Sequence, residues 1–188
     1  MITVKKVTRI KNKVVLVPLG EVDYGLVNRI ATHLVSIFNI GVDILQWIKL
    51  PQEAFNQKRG QYYSTVILNK LELLRASPRE SIMGIVDEDL YIPSIDFTYG
   101  EADPASKVAV LSISRLRQQS LDIYDDEKLF FSRAVKQAAH LLGHLFDLKH
   151  CANPKCVMHF SASLLETDRK SDKRCDNCKR KAKIETLT

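Results

Sequence analysis

Residues 140–158 read HLLGHLFDLKHCANPKCVM, and the way this stretch has to fold organises the reading of everything before it. His140 and His144 close a segment whose apolar residues, Leu129, Phe130, Ala134, Val135, Ala138, Leu142 and Leu145, recur at helical spacing. A separation of four residues puts both imidazoles on one helix face, about a turn apart, where they can share a metal ion. His150 is the third candidate. On a continued helix it would lie ~15 Å along the axis from His140, whereas zinc needs its nitrogen ligands at ~2.0–2.1 Å. The chain must therefore turn sharply after His144. The turn is expected near Asp147, because Asp tolerates the left-handed conformation better than most non-glycine residues.

The cysteines follow at once. Cys151, Cys156, Cys175 and Cys178 form C-x4-C and C-x2-C pairs, all in the last forty residues. In an oxidising compartment they could make two disulfides, with three possible connectivities. In a reducing one, clustered cysteines more often bind metal. Four thiolates would satisfy tetrahedral zinc with no open position, which makes a structural site. Such a site would tie residues 151–188, poor in apolar side chains, to the body of the protein. His150 and Cys151 are neighbours, so the two sites would be coupled.

Three histidines, an immediate Cys, C-x4-C-x-Met and a later C-x2-C together resemble the archaemetzincins, a branch of the metzincin zinc metallopeptidases. The upstream segments GIVDEDLYIP (84–93) and FTYGEADPASKVAVLSISRL (97–116) are similar to the same family. The resemblance extends over most of the chain. It implies an α/β (α+β), metzincin-like fold, a small mixed twisted sheet packed with helices. It also implies two zinc ions, one on His140, His144 and His150 with water in the fourth position, and a structural one on Cys151, Cys156, Cys175 and Cys178. Met158 matches the Met-turn residue that packs beneath the first metal. The activity implied is hydrolysis of peptides, with the peptide or protein substrate lying along the strand near 97–103 by strand addition.

Two positions depart from the motif: its Glu is Leu141 and its Gly is Asp147. The aspartate preserves the turn. The leucine removes the general base, since it neither accepts nor donates a proton. Glu101, Asp103 and Asp147 are the carboxylates to weigh as substitutes, with Asp147 directed elsewhere by its turn. Two functions follow, an impaired zinc metallopeptidase or a non-catalytic zinc protein that binds peptides through the same cleft.

The remaining sequence fits that frame. With 188 residues the chain suggests one domain, with 151–188 as a Cys-rich basic segment. Of the net charge of +6, all can be assigned to residues 169–183, which hold eight Lys/Arg and two acids. That run reads as a solubilising face, and no nucleic-acid-binding motif accompanies it. No apolar stretch has the length of a membrane span, and the N-terminus lacks a signal-peptide pattern. A cytoplasmic monomer is expected. Strands are expected at 14–19, 42–48, 82–86 and 108–112. Helices are expected from Asp23 to Phe38, over 62–74, and from Asp125–Asp126 to Phe146. Strands alternating with helices predict an α/β layer of three or four strands, with 87–103 turn-rich. Trp47 reads as core, His33 as satisfied or surface, and His159 as a bystander.

Overall fold

A computed structural model of the chain describes residues 12–117, 127–182 and 184. The helix start expected at Asp125–Asp126 lies outside these residues.

The apolar run after Asn12 forms strand β1, Lys13–Leu19. Asp23 then caps α1, Tyr24–Phe38, its carboxylate accepting the Gly25 N–H at 2.9 Å. Asn39 ends the helix in the left-handed region at φ 53. Strand β2, Gly41–Ile44, is shorter than expected. It is an edge strand paired with β1; just beyond it the Leu45 N–H still reaches the Leu16 carbonyl at 2.9 Å, and Ile48 returns in an isolated bridge to Leu19. Trp47 is consequently not core but 60 % exposed. Short strands β3, Phe55–Asn56, and β4, Gln61–Tyr63, precede α2, Ser64–Glu72. Helix α2 starts later than the periodicity suggests because Tyr62 and Tyr63 are paired, in register, with Leu90 and Tyr91.

Next come β5, Glu80–Val86; β6, Leu90–Ile92; β7, Ile95–Thr98; β8, Gly100–Asp103; and β9, Val108–Ser112. The long helix α3 spans Glu127–Leu145, and two short helices close the chain, α4 at Leu164–Arg169 and α5 at Asp176–Lys181.

The main sheet has five strands in the order β2-β1-β5-β9-β8. Its first four are mutually parallel, and β8 runs antiparallel along β9 at the edge. A second sheet has the order β3-β4-β6-β7. The fold is thus mixed α/β, with one strand more in the main sheet than the sequence suggests. The near-continuous apolar runs of β1, β5 and β9 are explained by burial on both faces. On one face Leu16, Met83 and Leu111 meet α1 and α3 through Ile30, Ala138 and Leu142. On the other, Val17, Ile82 and Val110 meet α2 through Ile67 and Leu71. Among the described residues no helix is long and apolar enough to cross a membrane.

Candidate metal centre

Helix α3 carries His140 and His144 in its final turns and stops where the sequence requires. Asp147 is left-handed at φ 63, and the Leu148 N–H returns to the Gly143 carbonyl at 3.0 Å. The Lys107 ammonium donates to the Leu145 carbonyl at 2.7 Å and lies 3.4 Å from the Asp147 carboxylate. This reversal carries His150 back to the helix face.

Each helical imidazole is aimed by a backbone carbonyl. His140 Nδ1 lies 2.8 Å from the Val157 oxygen, and His144 Nδ1 lies 2.8 Å from the Leu148 oxygen. With Nδ1–H donating to those carbonyls, the Nε2 lone pairs face one another at 3.1 Å. The His150 ring stacks on His140, centroids 5.3 Å apart. One nitrogen from each of the three lies within 4.8 Å of the other two. A tetrahedral ion with nitrogens at ~2.05 Å would set them ~3.3 Å apart, so the donors fit zinc. Burial, reinforced by the nearby Lys170 ammonium, pushes His140 down to about 3. Burial first, with Lys170 contributing, also lowers His144 and His150. All three are therefore neutral at neutral pH, the form that donates a lone pair.

Met158 is fully buried and packs against Gly143 of α3, in the turn between the two helical histidines. Its sulfur would sit 2.2 Å from a Cβ placed on Gly143. A glycine inside a helix costs about 1 kcal/mol relative to alanine. Here its bare backbone is what admits Met158.

The cysteines form a second group, with four sulfurs within 4.8 Å of one another and no disulfide. Cys151 and Cys175 sulfurs are 3.8 Å apart. Sulfurs bound to zinc at ~2.3 Å would be ~3.8 Å apart, so these donors fit the ion as well. Cys175 stands at the N-cap position of α5, where the Cys178 backbone, followed by the neighbouring thiols, pulls its pKa down to about 7. Burial raises Cys156 and Cys178. The two groups share backbone. Cys151 N–H donates to the Met158 carbonyl at 2.9 Å, and His159 Nδ1 is 2.9 Å from the Cys151 carbonyl. His159 thus buttresses the loop without joining either cluster. His33 is exposed, with its ring against Phe131.

A cleft of about 320 Å³ opens over the histidines, bounded by Gly100 and Ala102 of β8, by Leu141, and by Phe160, Ser161 and Lys170. No carboxylate lines it among the described residues. Glu101 alternates to the far side of β8, where it accepts from Ser64 Oγ at 2.6 Å and Thr65 Oγ1 at 3.1 Å. Asp103 accepts the Ala105 N–H at 2.9 Å. Leu141 is 6 % exposed, and its Cδ1 occupies the space beside Gly100, 2.6 Å from where a Cβ there would be.

Lys170 and Arg174, read from sequence as part of a solvated basic face, do not behave that way. Lys170 is 2 % exposed, and the Arg174 guanidinium covers the Phe38 ring at 4.3 Å. Nothing in a run of basic residues distinguishes these two from their neighbours. The segment is also held to α3 by Arg133, which pairs with both oxygens of Asp168 at 2.8 and 2.7 Å.

The model of peptidase family M54 matches residues 12–184. The chain belongs to that family, the archaemetzincins. An archaemetzincin of Pyrococcus furiosus is 38% identical over 179 residues, covering 91% of this chain and 92% of the relative. A zinc-dependent peptidase from Methanocorpusculum labreanum superposes with a TM-score of 0.81 at 30% identity, covering 89% of this chain and 98% of the other. The Methanopyrus kandleri archaemetzincin gives a TM-score of 0.79 at 34% identity, covering 93% and 96%. Zinc is the metal that the family and the His and Cys donors support.

Proposed function

We propose that this archaemetzincin holds two zinc ions and is a peptidase impaired at the proton-transfer step. His140, His144 and His150 hold the first ion, and Cys151, Cys156, Cys175 and Cys178 hold the second. Met158 is the Met-turn residue. The chain acts as one cytoplasmic, monomeric domain with 151–188 as its zinc-tied segment. When bound at the histidines, zinc polarises a peptide carbonyl and acidifies a water. The chain's own residues do the rest. The carbonyls of Val157 and Leu148 orient the imidazoles. The open edge of β8 offers backbone groups to an extended peptide.

One observation carries the impairment: the position of the general base is a buried leucine, and no carboxylate among the described residues lines the cleft. A missing general base costs roughly 10²- to 10⁴-fold in rate. The same observation favours a second reading, a non-catalytic protein that binds peptides through zinc and β8. Elemental analysis of protein purified under reducing conditions without chelator tests the metal assignment. Two zincs per chain are expected, and one zinc that survives His144→Ala would remove the enzyme reading. Peptide hydrolysis by that zinc-loaded protein separates the two functions.

A further inference from the structure

Lys170 is a buried cation with no carboxylate partner among the described residues. The residue is 2 % exposed, yet among the described residues its ammonium makes one hydrogen bond, to the His159 carbonyl at 3.2 Å. No carboxylate of the described residues lies within ion-pairing distance of it. Two charges act on it most: the Lys136 ammonium, which donates to the Asp168 carbonyl at 3.0 Å and opposes it, and the Cys156 thiolate, which favours it. Buried charges are normally paired, and the adjacent Arg133 follows that rule with Asp168. A lysine ammonium has three N–H donors, so Lys170 has donors to spare. It lines the histidine cleft and lies close enough to depress all three imidazoles. Ser161 lines the same cleft, and its hydroxyl oxygen is buried without a partner among the described residues. A buried cation and a buried unpaired hydroxyl bordering one cavity are complementary to an anion with two acceptor oxygens.

We propose that Lys170 and Ser161 form a carboxylate subsite in the histidine cleft. It takes either the side chain of an acidic residue beside the zinc-bound peptide group or the carboxylate at a peptide's C-terminus. The inference rests on the zinc-cleft reading above. It does not depend on hydrolysis, because a bound carboxylate meets the ammonium whether or not a peptide bond is cut. Phe160, 58 % exposed, forms an apolar flank to the same cleft and leaves the charge discrimination to Lys170.

The test is competitive binding to the zinc-loaded full chain, with peptide hydroxamates that anchor on the metal. One pair carries Glu or Gln next to the hydroxamate. A second pair, with Gln there, ends in a free carboxylate or an amide. A tighter Glu compound, by roughly ten- to a hundredfold over Gln, would identify a side-chain carboxylate. The same preference within the second pair would identify a chain end. In zinc-loaded Lys170→Met the ratio within each pair should fall to about twofold or less, a readout in which any change common to the charged and neutral compounds cancels. Ser161→Ala should weaken the preference less, and it decides the matter with the wild type if Lys170→Met does not fold. Neutral compounds that bind with no preference for their charged partners would overturn the subsite and leave the zinc cleft standing. If no hydroxamate binds the zinc-loaded protein, the cleft reading itself fails and takes the subsite with it.

Discussion

Replacing Leu141 with glutamate should trade stability for turnover. Leu141 is 6 % exposed, so giving up its burial costs about 1.5–3 kcal/mol. The bare backbone of Gly100 beside it leaves room for the carboxylate to reach the cleft. A base there should lower the barrier by the equivalent of roughly 10²- to 10⁴-fold in rate, about 2.7–5.4 kcal/mol. The assay is hydrolysis of internally quenched peptides by zinc-loaded wild type, Leu141→Glu and Leu141→Gln, with thermal melts of each. Glutamine has the shape of glutamate without its basicity and should stay at the wild-type rate. A wild type within a few-fold of Leu141→Glu would mean that another group already does the proton transfer. A glutamine variant as fast as the glutamate one would mean that packing, not basicity, limits the rate.

Further outcomes follow from the same geometry. His144→Ala should lower bound zinc from two ions to one, read by elemental analysis under reducing conditions, while Cys175→Ser should release the other and also weaken the histidine site through the shared loop. Gly143→Ala should lower the melting temperature despite alanine's better helix propensity, because displacing Met158 costs about 1–3 kcal/mol of overpacking against a gain of about 1 kcal/mol; a variant melting above wild type would contradict the contact. In metal-free protein, His140 has a pKa of about 3 in the fold against 6.5 unfolded, so below pH ~6.5 the unfolded chain binds more protons. Its stabilising contribution is full above that value and is lost as pH falls toward about 3, amounting to about 2 kcal/mol by pH 5. Melts of metal-free wild type should show this loss, and His140→Gln should show less of it.

The parts of the fold readable in the sequence are those where one interaction dominates. The runs at β1, β5 and β9 are apolar because both faces are covered, and no other local structure explains them. The turn at Asp147 followed from the distance a metal allows between His140 and His150, and it is left-handed at φ 63. Strand β8 was reached only through the family resemblance, as the strand near 97–103; its own residues, Gly100–Asp103, are few and polar, and their strand character comes from pairing with β9. Trp47 was misplaced because apolarity alone does not reveal that its segment leaves the sheet. The roles of Gly143 and Lys170 depend on contacts with Met158 and with the His159 carbonyl, both made by the returning loop. An isolated glycine between the two histidines was the one available clue.

Strand β8 also bears on how the protein behaves in concentrated solution. Its outer rim pairs with no strand among the described residues, and its acidic side chains are turned to other duties, Glu101 toward Ser64 and Asp103 toward Ala105. An edge left open for a visiting chain is equally open to the edge of another copy, the usual first step of β-aggregation. What restrains that step here is length. The strand is four residues long, and after Asp103 the chain turns back through residues 104–107 into β9, with Pro104 bringing no N–H to the edge.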